Sequence, residues 1–97
     1  MNKEENFNLK YPISGSDIAS VLTKIGNGRE WIINDIEFLG VKDASASELS
    51  MNKGIPLDED FLISQMQNIK QVITLDTFDT DQCITVVDSS IFKIGCR

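Results

Sequence analysis

A switch in hydrophobic period near Lys70 constrains this chain more than any other feature. Downstream lie three short runs rich in β-formers: Gln71-Val72-Ile73-Thr74-Leu75, Cys83-Ile84-Thr85-Val86-Val87 and Ile91-Phe92-Lys93-Ile94-Gly95-Cys96. Runs of this length bounded by polar turn residues predict strands. Upstream, apolar residues recur at three- and four-residue steps: Ile18, Val21, Leu22 and Ile25, then Phe61, Leu62, Met66 and Ile69. That spacing gives two amphipathic helices, each with one face for a core. Helices and strands must therefore share a single core within 97 residues, a length that makes one domain.

The first helix is expected to start at Ser14 or Ser16 as its cap, with Asp17 suited to the positive end of its dipole. Gly26 and Gly28 are expected to supply the left-handed residue that ends it. Asp58 is expected to cap the second helix, with Glu59 and Asp60 in its first turn. Before the first helix, Phe7, Leu9 and Tyr11 alternate with Asn8 and Lys10 as in a half-buried strand, which Pro12 stops. Residues 30–41 (EWIINDIEFLGV) read as a hairpin turning at Asn34-Asp35, which pairs Ile33 with Ile36 and Trp31 with Phe38. One long strand through Asn34 and Ile36 is the competing reading.

A turn on Ser89-Ser90 would join the last two strands. It would set Cys83 opposite Cys96, Thr85 opposite Ile94 and Val87 opposite Phe92, a coherent apolar face. The expected order is β-α-β(β)-α-β-β-β. The expected fold is α+β: a largely antiparallel sheet of about five strands with two helices packed on one side. Residues 1–97 form a single globular domain, with 1–6 as a frayed N-terminus. Residues 42–56 form a long loop that is either mobile or functional.

Function is narrowed mostly by what is missing. The chain has no histidine and only two cysteines, Cys83 and Cys96. A Ser-His-Asp triad, a Cys-His dyad, a His-ligated metal and a four-thiolate site cannot be built from it. Gly26-Asn27-Gly28 runs into Arg29-Glu30-Trp31, not into the Lys-Ser/Thr of a phosphate loop. No enzyme activity, cofactor or metal is expected. The polar start Met1-Asn2-Lys3-Glu4-Glu5-Asn6 is not a secretory signal, and no apolar run exceeds three residues. The expected compartment is cytoplasmic, with both thiols reduced. Cys83 and Cys96 then read as buried small hydrophobes, with a bridge between them as the alternative.

Fifteen acids against nine bases leave a formal charge of −6. That balance disfavours direct binding of nucleic acid and of anionic membranes. It favours a basic protein partner, although solubility alone would also account for it. Residues 71–92 contain four aspartates and no Lys or Arg. Asp76, Asp79, Asp81 and Asp88 are therefore the candidate partner-binding patch, with Phe78 as an aromatic anchor at its centre. The local alternative is a solvated turn whose Asp and Thr satisfy backbone donors. Asp76 to Asp81 lacks the Asx-x-Asx-x-Asx-Gly spacing and the closing Glu of a calcium loop. Asp35 and Glu37 alternate with apolar residues, as on a wet sheet face, and Trp31 reads as core. As a pair at i, i+2 those two acids could also serve general acid–base catalysis.

The C-terminal third, Gln82-Cys83-Ile84-Thr85-Val86-Val87-Asp88-Ser89 followed by Ile91 to Cys96, resembles a family of small uncharacterised Bacillus-type proteins. Tyr11-Pro12-Ile13-Ser14-Gly15 and Glu30-Trp31-Ile32-Ile33 are similar to its earlier segments. The likeness covers about half the chain. The chain is short through 42–57, and Gly95 stands where an aromatic is expected. The resemblance implies a shared fold and no function. In general type, small size, acidity and the absence of catalytic groups make the chain similar to bacterial toxin-immunity proteins, which block a toxin through charge-complementary surfaces.

The functional expectation is a non-enzymatic acidic binding protein: an immunity protein that occludes the active site of a bacterial toxin, such as a basic nuclease. Three alternatives stay open. They are a nucleic-acid-mimicking phage inhibitor such as an anti-CRISPR, a small carboxylate-dependent enzyme using Asp35 or Glu37, and an assembly subunit. The sequence leaves the oligomeric state open.

Overall fold

The computed structural model describes residues 9–26, 28–41 and 48–96. The elements run α1 (Gly15–Ile25), β1 (Glu30–Val41), α2 (Glu48–Met51), β2 (Leu57–Asp58), α3 (Glu59–Gln67), β3 (Ile69–Phe78), β4 (Gln82–Val87) and β5 (Ile91–Cys96). The strands form one five-stranded sheet in the order β2-β1-β3-β4-β5, and every neighbouring pair is antiparallel. The fold is α+β, as the period switch requires.

Helix α1 starts at Ser14, whose Oγ accepts the Asp17 amide while the Asp17 carboxylate accepts the Ser14 amide. Its first residue must be glycine, because a Cβ on Gly15 would lie 1.9 Å from the Met66 carbonyl oxygen. That close approach joins α1 to the end of α3. Ile18, Val21 and Leu22 of α1, with Leu62 and Met66 of α3, are buried in one cluster with Ile33, Ile36, Val72, Leu75, Ile84 and Val86 of the sheet. Trp31 is wholly buried there. Leu49 of the one-turn α2 joins the same core, so the expected loop 42–56 carries a helical turn of its own at Glu48–Met51. Residues 42–47 lie outside the described residues.

Several expectations need correction. Residues 30–41 are one strand, not a hairpin. Ile33 pairs with Thr77 and Asp35 with Asp76, so Asn34 is an extra residue bulged out of β1. The bulge shifts the strand's phase by one, which is why Trp31 and Ile33 face the core on one side of it and Ile36 on the other.

The register of the last hairpin is one residue off. Cys83 pairs with Gly95, Ile84 with Ile94 and Val86 with Phe92, while Cys96 pairs with Gln82. The core face is therefore Ile84 and Val86, and Cys83, Thr85 and Val87 lie on the other. The turn is centred on Asp88 and Ser89, both at left-handed φ, and closes with the Ser90 amide on the Val87 carbonyl. Tertiary anchoring fixes it there. Ser89 is buried and donates its Oγ–H to the Val72 carbonyl at 2.7 Å and its amide to Ile73, while its carbonyl accepts the Ile13 amide.

Asp58 occupies the N-cap of α3 without a side-chain capping bond. Only Gly28 is left-handed at the end of α1; Gly26 is extended, with φ −69°. Of the expected first strand, residues 7–8 lie outside the described residues, and 9–11 form no strand.

Candidate functional site

Because the helices pack on one side, strand parity assigns every other residue to the opposite, outer face of the sheet. Reading across the strands, Ile32, Phe78, Cys83 and Gly95 form one row, and Asp35, Asp76, Thr85 and Lys93 form the next. Glu37 pairs with Thr74 in a third, and Val87 pairs with Ile91 on the far strands. Asp35, Glu37, Val87, Ile91 and Lys93 are exposed, and Asp76 and Phe78 are half-buried. Among the described residues no helix covers this face.

The acids on it are held in place. The Asn34 amide donates to Asp76 Oδ2 at 3.2 Å, Thr74 Oγ1 donates to Glu37 Oε1 at 2.9 Å, and Lys53 Nζ lies 3.5 Å from Asp35 Oδ1. Asp35 and Asp76 are directly opposite each other, an arrangement that is destabilising for like charges.

At the end of this face where β1 begins and β3 ends, a cleft of about 400 Å³ is lined by Gly28, Arg29, Glu30, Ile32, Pro56, Phe78, Asp79 and Thr80. Ile32, Pro56 and Phe78 give it apolar walls. Glu30 stands opposite Asp58 across the β1–β2 pair, and both are exposed. Arg29 donates to Thr80 Oγ1 at 2.7 Å and pairs with Asp81.

The structure divides the expected patch. Asp76 lies on the open face, and Phe78 lines the cleft. Asp79 is only 4% exposed and is occupied by its own turn: its Oδ1 accepts the Asp81 and Gln82 amides at 2.7 and 2.8 Å. Asp81 holds Arg29. Asp88 sits at the other end of β4, about 20 Å away at ~3.3 Å per strand residue. The five residues are thus not one surface. Among the described residues no three His, Cys, Asp or Glu side chains are placed to hold a metal ion.

Two features escape a reading of residues 71–92 alone. Asp35 and Glu37 join Asp76 only because β1 pairs with β3. Glu59, placed above in the first turn of its helix, is buried and ties three elements together. Its carboxylate accepts the Trp31 indole N–H at 2.9 Å and the Gly28 amide at 3.0 Å, and a Cβ on Gly26 would lie 2.3 Å from Oε1. Gly26, Gly28 and Trp31 within six residues were the available signal: the carboxylate crowds Gly26, Gly28 takes a left-handed φ that presents its amide, and an indole N–H needs a partner.

No family model, curated protein or solved structure matches the chain. No helix among the described residues is long and apolar enough to cross a membrane.

Proposed function

We propose that the protein is a non-enzymatic inhibitor of the immunity type, which binds a basic bacterial toxin and neutralises it by covering its active site. The observation that carries this reading is the open outer face, with Asp35, Glu37 and Asp76 on adjacent strands beside a cleft that Glu30 lines, Asp58 standing opposite Glu30 across the β1–β2 pair. Complementary fields of this kind speed encounter and penalise wrong partners, and the net charge of −6 acts in the same direction. Asp35 and Glu37 are exposed on a sheet face and lie outside the cleft, a setting suited to recognition more than to general acid–base chemistry. Lys93 in the acidic row and Lys53 on Asp35 break the single-sign surface that a nucleic-acid mimic needs.

The test is affinity capture by the tagged chain from its native host at low and moderate salt, beside the variant Asp35→Asn/Glu37→Gln/Asp76→Asn. The expected result is one stoichiometric basic protein, released as salt rises, whose toxic activity the wild-type chain suppresses. The triple variant should associate about tenfold more slowly. Equal capture by the triple variant, or a partner whose activity is untouched, would overturn the reading.

A further inference from the structure

We propose that the cleft at the start of β1 seats one neutral, apolar side chain of the basic partner, of phenylalanine type. The proposal rests on the partner reading above and assigns that partner's anchor. It follows from how the polar groups of the cleft are spent. The Gly28 amide donates to Glu59, Arg29 donates to Thr80 and pairs with Asp81, and the Asp79 carboxylate accepts the amides of its own turn. A polar guest would give up water for groups already engaged, which costs free energy. Ile32 and Pro56 gain from any apolar group that covers them. Phenylalanine supplies the most apolar area without an O–H or N–H that would need a partner once buried.

The surroundings say what carries that side chain. Pro56 continues a segment in which Met51 and Ile55 keep 80% and 52% of their surface in water, an apolar stretch suited to contact. The Gly54 amide donates to the Ile33 carbonyl at 2.9 Å, and Lys53 Nζ lies 3.5 Å from Asp35 Oδ1. Both contacts hold the segment along β1, beside the acids. A second copy would bring its own carboxylates against Asp35, Glu37 and Glu30. A basic surface meets opposite charge there, around an apolar centre, which is how interfaces are built. The acids then govern encounter, and the cleft governs how long the complex lasts.

The experiment is an amide-shift NMR titration of the full-length protein with N-acetyl-phenylalanine amide. N-acetyl-asparagine amide and N-acetyl-arginine amide serve as the other arms. Shifts that saturate in the millimolar range are expected at the Gly28, Ile32 and Thr80 amides with the phenylalanine probe alone. Ile32→Thr keeps a β-branched side chain in the strand but makes the wall polar, and should weaken the probe about fivefold. Val87→Thr, the same change at the far end of the outer face, should leave binding unmoved, as should Glu30→Gln, because no charge is read. The absence of saturable shifts, equal or tighter binding of the asparagine or arginine probe, or an unchanged affinity in Ile32→Thr would each overturn the proposal. The probe is free in solution, so this outcome is independent of whether capture finds a toxin. A silent cleft in a chain that captures a salt-labile basic protein would overturn the anchor and leave the inhibitor reading standing. A responsive cleft in a chain that captures none would overturn the partner and leave an apolar binding cleft.

Discussion

The acids of this protein fall into two groups that their sequence context does not separate. Glu59 and Asp79 are 7% and 4% exposed and spend their oxygens on the protein's own donors, Trp31 and Gly28 in one case and the Asp81 and Gln82 amides in the other. Asp35 and Asp81 keep 53% and 61% of their side chains in water, and each has one exposed cation as its partner. A buried carboxylate is tolerated only where hydrogen bonds replace its hydration. The first group is therefore committed to folding, and only the second is free to meet another molecule. The net charge of −6 counts both alike. It says that an acidic surface exists, while burial says where.

The largest expected effect tests the committed group. Glu59→Ala leaves the Trp31 indole N–H and the Gly28 amide without acceptors and opens a cavity beside Gly26. It should cost about 2–4 kcal/mol in urea unfolding. Glu59→Gln restores one acceptor but turns an NH2 toward a donor, so it should recover only part of the loss. A cost below about 1 kcal/mol for the alanine variant would mean that water replaces the carboxylate, and the division would fail at its strongest member. Asp79→Ala comes next, at about 1–2 kcal/mol, because two turn amides lose their acceptor. Asp79→Asn keeps a carbonyl oxygen in that position and should recover most of the stability. That rescue separates turn geometry from charge, and equal losses in the two variants would assign Asp79 to the electrostatic group.

The fold class was legible because periodicity reports which side of an element is apolar. The period change near Lys70, the Ser14 cap and the strands after it all follow from local chemistry. What was not legible depends on contacts distant in sequence. The phase shift between Ile33 and Ile36 reads equally as a turn or a bulge, and only the pairing of β1 with β3 decides for the bulge. Ser89 and Ser90 look alike as loop residues, yet Ser89 alone is fixed by Val72, Ile73 and Ile13, which moves the hairpin by one residue and exchanges its faces. Of the candidate site, the aspartates nearest Phe78 were legible as a cluster. Their division between turn, ion pair and open face was not, because Asp76 and Asp81 depend on Asn34 in β1 and Arg29 just before it, while Asp79 turns inward onto the amides of its own turn.

The smallest expected effect tests the free group and has the opposite sign. Asp35 and Asp76 face each other across β1 and β3, so removing one charge should relieve repulsion. Asp76→Asn keeps an oxygen for the Asn34 amide at a site where the present contact is 3.2 Å. It should stabilise the fold by about 0.2–1 kcal/mol, less than a bare pair would give because Lys53 already offsets part of the Asp35 charge. The gain should shrink as salt rises, since Asp35 is exposed and Asp76 half-buried at the surface, where screening reaches the pair. Asp81→Asn is the control: its exposed pair with Arg29 carries little net stability and should leave the urea midpoint nearly unmoved. If Asp76→Asn raises stability while slowing capture of the partner, the protein retains a destabilising charge for the sake of binding. If it lowers stability, Asp76 belongs with Glu59 and Asp79, and the recognition surface contracts to Asp35, Glu37 and the cleft.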